Sequence, residues 1–352
     1  MRTIKKALLR NTLLIIAVIG FGVVIYGARH QLEETWTLIS GVSLGSLLML
    51  PLTQLISYFF LSEYYRSMIF NFGGRIRLMR TYGTTIALNF VNQILPSGGA
   101  SGITYIIYAY RDAVDGGKIT LIQLGRYVFA FLSYVPLLIA AWLWLAASGD
   151  FNGNVQTLFY VLIVICLPGM LLLVLAVSNQ KFVEKFLGGV LGFINRLLSL
   201  FTRGKAKPIT VSASSGFIKE FGDGVKFLKS QGQKIIVPYL FMLMSTMAEI
   251  TIVTLAFAII GVDINPGIII LAFTAANAVG VVSIIPGDVG VHELTMITVL
   301  GYVGVDQSAA IAGTLLYRVF NKLIIMAIGF ISYIYFLKPL VNNAKGKPSP
   351  NG

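Results

Sequence analysis

The apolar stretch from residue 275 to residue 322 is broken near its middle by Pro286-Gly287, and Asp288, His292 and Glu293 follow at once. A helix that crosses a bilayer needs about 20 consecutive apolar residues, and each half of this stretch falls short. Two half-helices meeting at a broken tip satisfy the pattern instead. Backbone that leaves the helix at membrane depth must have its polar groups met by protein or by water in a cavity, so such a tip marks a site rather than a plain span. Discontinuous helices of this kind hold substrate in many transporters.

Residues 84–135 repeat the arrangement. Ile94-Leu95-Pro96-Ser97-Gly98 answers Ile284-Ile285-Pro286-Gly287-Asp288, and each break leads into a short apolar half-helix, a polar turn with Gly and Asp, and a long apolar helix carrying an Arg. Pro96 precedes Arg126 by 30 residues and Pro286 precedes Arg318 by 32. This is an internal repeat with an offset of about 190 residues.

The 352 residues are 56% hydrophobic with a mean hydropathy of +0.82, values that belong to polytopic membrane proteins and leave no soluble domain of ordinary size. Apolar spans lie at about 8–27, 41–62, 121–147, 155–177, 235–260 and 308–337, with the broken pairs at 81–110 and 268–300. The fold expected is therefore an all-α polytopic membrane protein, with about six full transmembrane helices and two re-entrant hairpins in an inverted-repeat arrangement; eight or ten crossings is the competing count. One membrane domain covers 1–337: repeat one about 1–177, an amphipathic connector about 178–234 and repeat two about 235–337. Residues 338–352 read as a disordered tail.

The net charge of +13 would suit nucleic acid if it were clustered on a soluble face, but it sits between the hydrophobic runs. With the N-terminus in the cytoplasm, 23 Lys and Arg fall in cytoplasmic segments and only Arg29 on the opposite side. The positive-inside rule then places both termini in the cytoplasm. The first span lacks a convincing cleavage site and reads as a retained anchor. The segment after residue 62, with Tyr64, Tyr65, Phe70 and Phe72 among basic residues, reads as a loop on the inner leaflet. Pro51 is expected to kink the second span. The single cysteine, Cys166, rules out a disulfide framework and offers no metal-site spacing.

Ionisable groups at membrane depth are costly and usually pair or line a pathway. Here they are Arg126, Glu249, Asp288, His292, Glu293, Arg318 and Lys322. Arg318 and Lys322 share a helix face at i,i+4, and a planar guanidinium beside an ammonium suits a phosphate or carboxylate. The competing reading has both cations neutralised by Glu249, Asp288 and Glu293. The candidate substrate-binding set is Arg318, Lys322, Arg126, Asn92, Gln93, Ser97, Gly98, Gly99, Pro286, Gly287, Asp288 and Glu293, with Glu249 and His292 as charge partners. Glycines at the first tip would let backbone amides face an anion. No catalytic residue is assigned, because His292 and Glu293 lack a nucleophile motif or a metal-ligand set. No cofactor or metal is expected, and no GxxxxGK[ST] motif occurs for nucleotide hydrolysis.

NQILPSGGASG and then IIPGDVGVHELTMITVLGYVGVDQSAAIAGTLLYRVFNK resemble the two diagnostic stretches of the lysylphosphatidylglycerol synthase transmembrane family, also called flippase-like domain proteins. The second is the more specific, with Pro286, Gly287, Gly290 and Glu293, a Gly304-Val305 turn, an Ala-rich start at Ala309 and Tyr317-Arg318. The resemblance covers essentially the whole chain. It implies a multi-pass domain of a bacterial or archaeal cell (inner) membrane which, in bifunctional members, moves aminoacylated phosphatidylglycerol between leaflets. Those members carry a soluble aminoacyl-transferase domain after the membrane part; this sequence ends at Gly352 without one, so lysyl transfer is not expected. The first copy departs from the family pattern, since Gly102, Ile103, Thr104 and Tyr105 intervene before Arg111 where many relatives place an acidic residue and an Arg. The function expected is a lipid translocator for an anionic or zwitterionic phospholipid or a polyprenyl-phosphate-linked lipid. The competing classes are a membrane enzyme acting on a lipid phosphate and a proton-coupled transporter of a small anion. The partners are membrane lipids and not nucleic acid, and a homodimer is compatible with the pattern.

Overall fold

The computed structural model describes residues 41–94, 100–178, 230, 232–282, 288 and 290–343. Among them the chain is all-helical. Its α-helices are α1 (Leu44–Asn71), α2 (Leu78–Ile94), α3 (Ala100–Tyr110), α4 (Gly116–Ser148), α5 (Gly153–Ser178), α6 (Ile236–Ile259), α7 (Pro266–Val282), α8 (Val291–Tyr302) and α9 (Gln307–Asn343). Five expected spans become helices; the sixth, at 8–27, lies outside the described residues, as does most of the connector.

Among the described residues four helices are long and apolar enough to cross a membrane: Leu44–Asn71, Gly116–Ser148, Gly232–Ile259 and Gln307–Tyr335. Their outer faces carry Leu48, Leu52, Ile139, Leu143, Trp144 and Ile331 exposed, while Gln54, Ser57, Gln123, Ser245 and Arg318 are buried. Lipid tails are as apolar as Leu, so burial of apolar surface does not hold these helices together. Close packing and internal polar contacts do.

Contacts at the helix ends sort them onto two faces. Arg80 at the start of α2 donates to Asp112 and to the Ala109 carbonyl at the end of α3, and Asn71 at the end of α1 donates to the Lys234 carbonyl just before α6. Hydrogen bonding to Arg80 holds the Asp112 carboxyl below the usual carboxylate range. At the other face Asn265, just before α7, donates to Asp150 in the α4–α5 turn, and Asn154 at the start of α5 donates to the Tyr302 carbonyl ending α8. The α2–α3 pair therefore leaves and returns to one face, and the α7–α8 pair leaves and returns to the other. Both are re-entrant, in opposite senses. The first face carries Arg75, Arg77, Arg80, Arg111, Lys118 and Lys234; the described turns of the second carry Asp150, Asp263 and Asp306 and no Lys or Arg.

The helix order α1, α2, α3, α4 recurs as α6, α7, α8, α9, with starts offset by 188 to 192 residues. Packing is crosswise. The first hairpin rests on the long helix of the second half, where Phe90 of α2 meets Phe330 and Tyr333 of α9 at ring separations of 5.9 and 5.8 Å. The second hairpin rests on α4, where Phe273 of α7 meets Tyr134 at 6.5 Å. Between them α1 and α6 form the most extensive helix pair.

One expectation changes. Helix α1 runs on to Asn71, so Tyr64 and Tyr65 are not in an inner-leaflet loop; both are fully buried. The cause is the polar backbone and side chains of α4: Tyr64 Oη donates to the Ile122 carbonyl at 2.7 Å and Tyr65 Oη to Gln123 Oε1 at 2.6 Å. Pro51 lies inside α1, as the second span required.

Candidate functional site

Arg126 and Arg318 occupy equivalent places in the two halves. Arg126 lies ten residues into α4, counted from the basic face, and Arg318 eleven residues into α9, counted from the acidic face. At 1.5 Å per residue each is about 15 Å deep, which is the middle of a hydrocarbon core about 30 Å thick.

Their surroundings differ. Arg318 is 4% exposed. Its Nε donates to Glu293 Oε1 at 2.7 Å and its Nη2 to Asp288 Oδ1 at 3.1 Å. Lys322, one turn further along α9, donates to the same Asp288 oxygen at 3.4 Å. Glu293 stands in the first turn of α8, where its other oxygen accepts the Gly290 N–H at 2.7 Å, so its carboxylate is fixed at both ends. His292 packs between Phe273 and Tyr317. Its Nδ1 lies 3.5 Å from Asp288 Oδ2, and its Nε2 has no hydrogen-bond partner among the described residues. Two cations and two carboxylates thus meet at the tip of the second hairpin.

Arg126 is half-buried, and its partners are neutral. Nη2 donates to Asn89 Oδ1 of α2 at 3.0 Å, and Nη1 lies 3.5 Å from Tyr65 Oη of α1. The Tyr65 proton is committed to Gln123, so a phenol lone pair faces the guanidinium. No carboxylate comes within ion-pair distance among the described residues. The sequence explains the difference. In the alignment of the two tips Asp288 answers Gly98, and at the 191-residue offset of α3 and α8 the counterparts of His292 and Glu293 are Ser101 and Gly102. A Cβ at position 102 would overlap the Asn92 side-chain amide, which would have to move to admit a larger residue.

Glu249 belongs to a third polar group. It lies thirteen residues into α6 and accepts from Gln54 Nε2 at 2.9 Å and Ser57 Oγ at 2.8 Å, both on α1. Asn321 Nδ2 of α9 donates to Gln54 Oε1 at 2.7 Å and reaches Glu249 Oε2 at 3.5 Å. Glu249's hydrogen bonds come from neutral donors, and it acts on Arg126 and Arg318 through space, whereas the carboxylates in ion-pair contact with Arg318 among the described residues are those of Asp288 and Glu293. The α1 and α6 backbones are tied beside it by Ser245 Oγ donating to the Ser57 carbonyl at 3.1 Å.

Of the other expected site residues, Asn92 and Gln93 stand at the end of α2, with Asn92 Oδ1 and Gln93 Oε1 buried and unpartnered among the described residues. Ser97, Gly98, Gly99, Pro286 and Gly287 lie outside the described residues. The residues not anticipated are Asn89, Tyr65, Gln123, Gln54, Ser57 and Asn321. A signal for some of them is present in the sequence: Gln54 and Ser57 are polar residues three apart on an otherwise apolar helix, hence on one face.

Comparison with known sequences places this architecture. The profile of the lysylphosphatidylglycerol synthase transmembrane region matches residues 12–329. The chain belongs to that family. Among curated relatives of this lysylphosphatidylglycerol synthase transmembrane-region protein are two named "UPF0104 membrane protein" from Methanothermobacter thermautotrophicus. One is 23% identical over 276 residues, covering 76% of this chain and 75% of the relative; the other is 24% identical over 255 residues, covering 70% and 72%. No solved structure matches.

Proposed function

We propose that this member of the family moves a phosphate-bearing lipid, anionic or zwitterionic in its headgroup, between the leaflets of the cell membrane. The basic face is cytoplasmic in this reading, by the positive-inside rule. The observation that carries it is Arg126: a guanidinium at mid-membrane depth whose contacts among the described residues are an amide, a phenol and the face of the Tyr127 ring, with no carboxylate at ion-pair distance. Such a charge is costly without a counter-ion, and a phosphate presents the planar, bidentate acceptor that Arg fits best. Asn89 and Tyr65 hold the guanidinium in place without neutralising it. The lipid tails would remain in the bilayer along the apolar outer faces while the headgroup passes the hairpins.

The test uses the full-length protein in proteoliposomes with phosphatidylglycerol labelled on a short acyl chain by nitrobenzoxadiazole. Dithionite quenches the outer leaflet, and any loss beyond it reports translocation. Arg126→Gln should abolish that component, and Arg126→Lys, which keeps the charge but not the fork, should weaken it. Wild-type translocation by Arg126→Gln at an unchanged melting temperature would end this reading. A change of lipid mass on incubation would instead identify an enzyme, and uptake of inorganic phosphate under a pH gradient a small-anion transporter.

A further inference from the structure

We infer that Arg318 and Lys322 form a second phosphate-binding site, and that the Asp288 carboxylate occupies its anion position as an internal competitor. The inference rests on the translocator reading for the identity of the lipid, but not for the chemistry of the site. One oxygen, Asp288 Oδ1, accepts from both the Arg318 guanidinium at 3.1 Å and the Lys322 ammonium at 3.4 Å. A single anionic oxygen shared by a planar fork and a point cation is the arrangement a phosphate oxygen would take there.

The two carboxylates on Arg318 are not equivalent. Glu293 has a 6% exposed side chain, short bonds at both oxygens, and a place in a regular helix. Asp288 has a 25% exposed side chain and longer contacts throughout. It stands before α8 with φ +52, in the left-handed region that few non-glycine residues adopt. Its carboxylate also lies against Gly280 of α7, where a Cβ would come within 3.0 Å of Oδ2. Asp288 is therefore the member that can leave, and Glu293 the one that stays to hold Arg318.

Charge balance selects the ligand. With Asp288 engaged, two cations face two carboxylates. When it swings out, one positive charge is uncovered, which a phosphodiester with its single negative charge restores to zero. Free phosphate, which carries between one and two negative charges at neutral pH, overshoots in its dianionic form. A phosphodiester lipid headgroup is thus the matching occupant. Arg126 and the Arg318–Lys322 pair then form two phosphate stations, one on each hairpin's partner helix, of which only the second is guarded.

Binding of dihexanoylphosphatidylglycerol, and separately of inorganic phosphate, to the full-length protein in detergent tests this by titration calorimetry in an Arg126→Gln background, so that the first station does not contribute. Asp288→Asn and Asp288→Gly should each raise affinity for the lipid about tenfold, the factor expected if the internal carboxylate holds the pair roughly nine-tenths of the time. Glycine accepts the left-handed backbone, so the second variant keeps the test open if the first folds poorly. Adding Lys322→Gln should remove the gain. No gain in a folded Asp288 variant, or a gain that survives Lys322→Gln, overturns the inference. An equal gain for inorganic phosphate keeps the pair as an anion site and overturns the lipid assignment. Improved binding together with absent translocation in wild-type proteoliposomes supports the site and removes the translocator reading, so the two fail separately.

Discussion

Replacing Asn89 with Asp changes the charge beside Arg126 and almost nothing else. The carboxylate oxygen falls where the amide oxygen now accepts at 3.0 Å. At an effective dielectric of about 20 the new pair attracts by about 5 kcal/mol, against a desolvation cost of several kcal/mol for the added charge. These nearly cancel, and the melting temperature should move by no more than a few degrees. The bound anion loses more. A phosphate oxygen about 4 Å from the guanidinium gains about 4 kcal/mol at that dielectric, and a carboxylate about 6 Å from it takes back between about 2 and 3 kcal/mol. That is roughly a 100-fold loss in affinity. In the dithionite assay Asn89→Asp should therefore behave almost as Arg126→Gln does, although the guanidinium is still present. Translocation within threefold of wild type, with unchanged stability, would refute the idea that an uncompensated Arg126 is what receives the headgroup.

The polar group around Glu249 should be structural: Gln54→Met removes a donor to Glu249 and the acceptor for Asn321, and at the size usual for polar contacts in membrane proteins the loss is about 1 to 3 kcal/mol in chemical unfolding. A cost below about 0.5 kcal/mol would show that the group is not closed as described. Gly313→Ala places a methyl on the Phe257 ring between α9 and α6, so it should cost about 1 to 3 kcal/mol and recover with Phe257→Leu; an unchanged melting temperature would contradict that contact. In a Cys166→Ala background, Asp150→Cys and Asp263→Cys should label from outside intact cells, whereas Arg111→Cys and Lys118→Cys should label only after permeabilisation. The reverse pattern would invert the orientation.

The hairpins were legible because proline and glycine inside an apolar run have few alternatives, and Pro96 and Pro286 carry that signal twice. Arg318 with Lys322 was legible as a face, since i,i+4 spacing fixes it, but whether the face was open or neutralised depended on Asp288 and Glu293 turning back onto it. Spacing along the chain does not encode that. The partners of Arg126 were out of reach for a related reason. Asn89 and Tyr65 are ordinary polar residues on two other helices, and only their packing against α4 gives them a role. The loop expected after residue 62 failed because the positive-inside pattern reports where Arg66 and Arg75 point, not where a helix stops. Tyr64 and Tyr65 carried α1 two turns further by finding acceptors on α4.

The crosswise packing of the hairpins bears on how the chain is made. Phe90 meets its partners on α9 only after some 240 further residues have been synthesised, which at 5 to 20 residues per second is roughly 10 to 50 s. Until then the first hairpin has no second-half wall, and its buried amides and tyrosines must be shielded by lipid, by water at the inner surface, or by the insertion machinery. The second hairpin has no such wait, since α4 is already in place when α7 emerges. Biogenesis is thus asymmetric although the two halves mirror each other. A gene divided within the connector should yield a first fragment that inserts but is degraded alone, and that survives when the second fragment is supplied in trans.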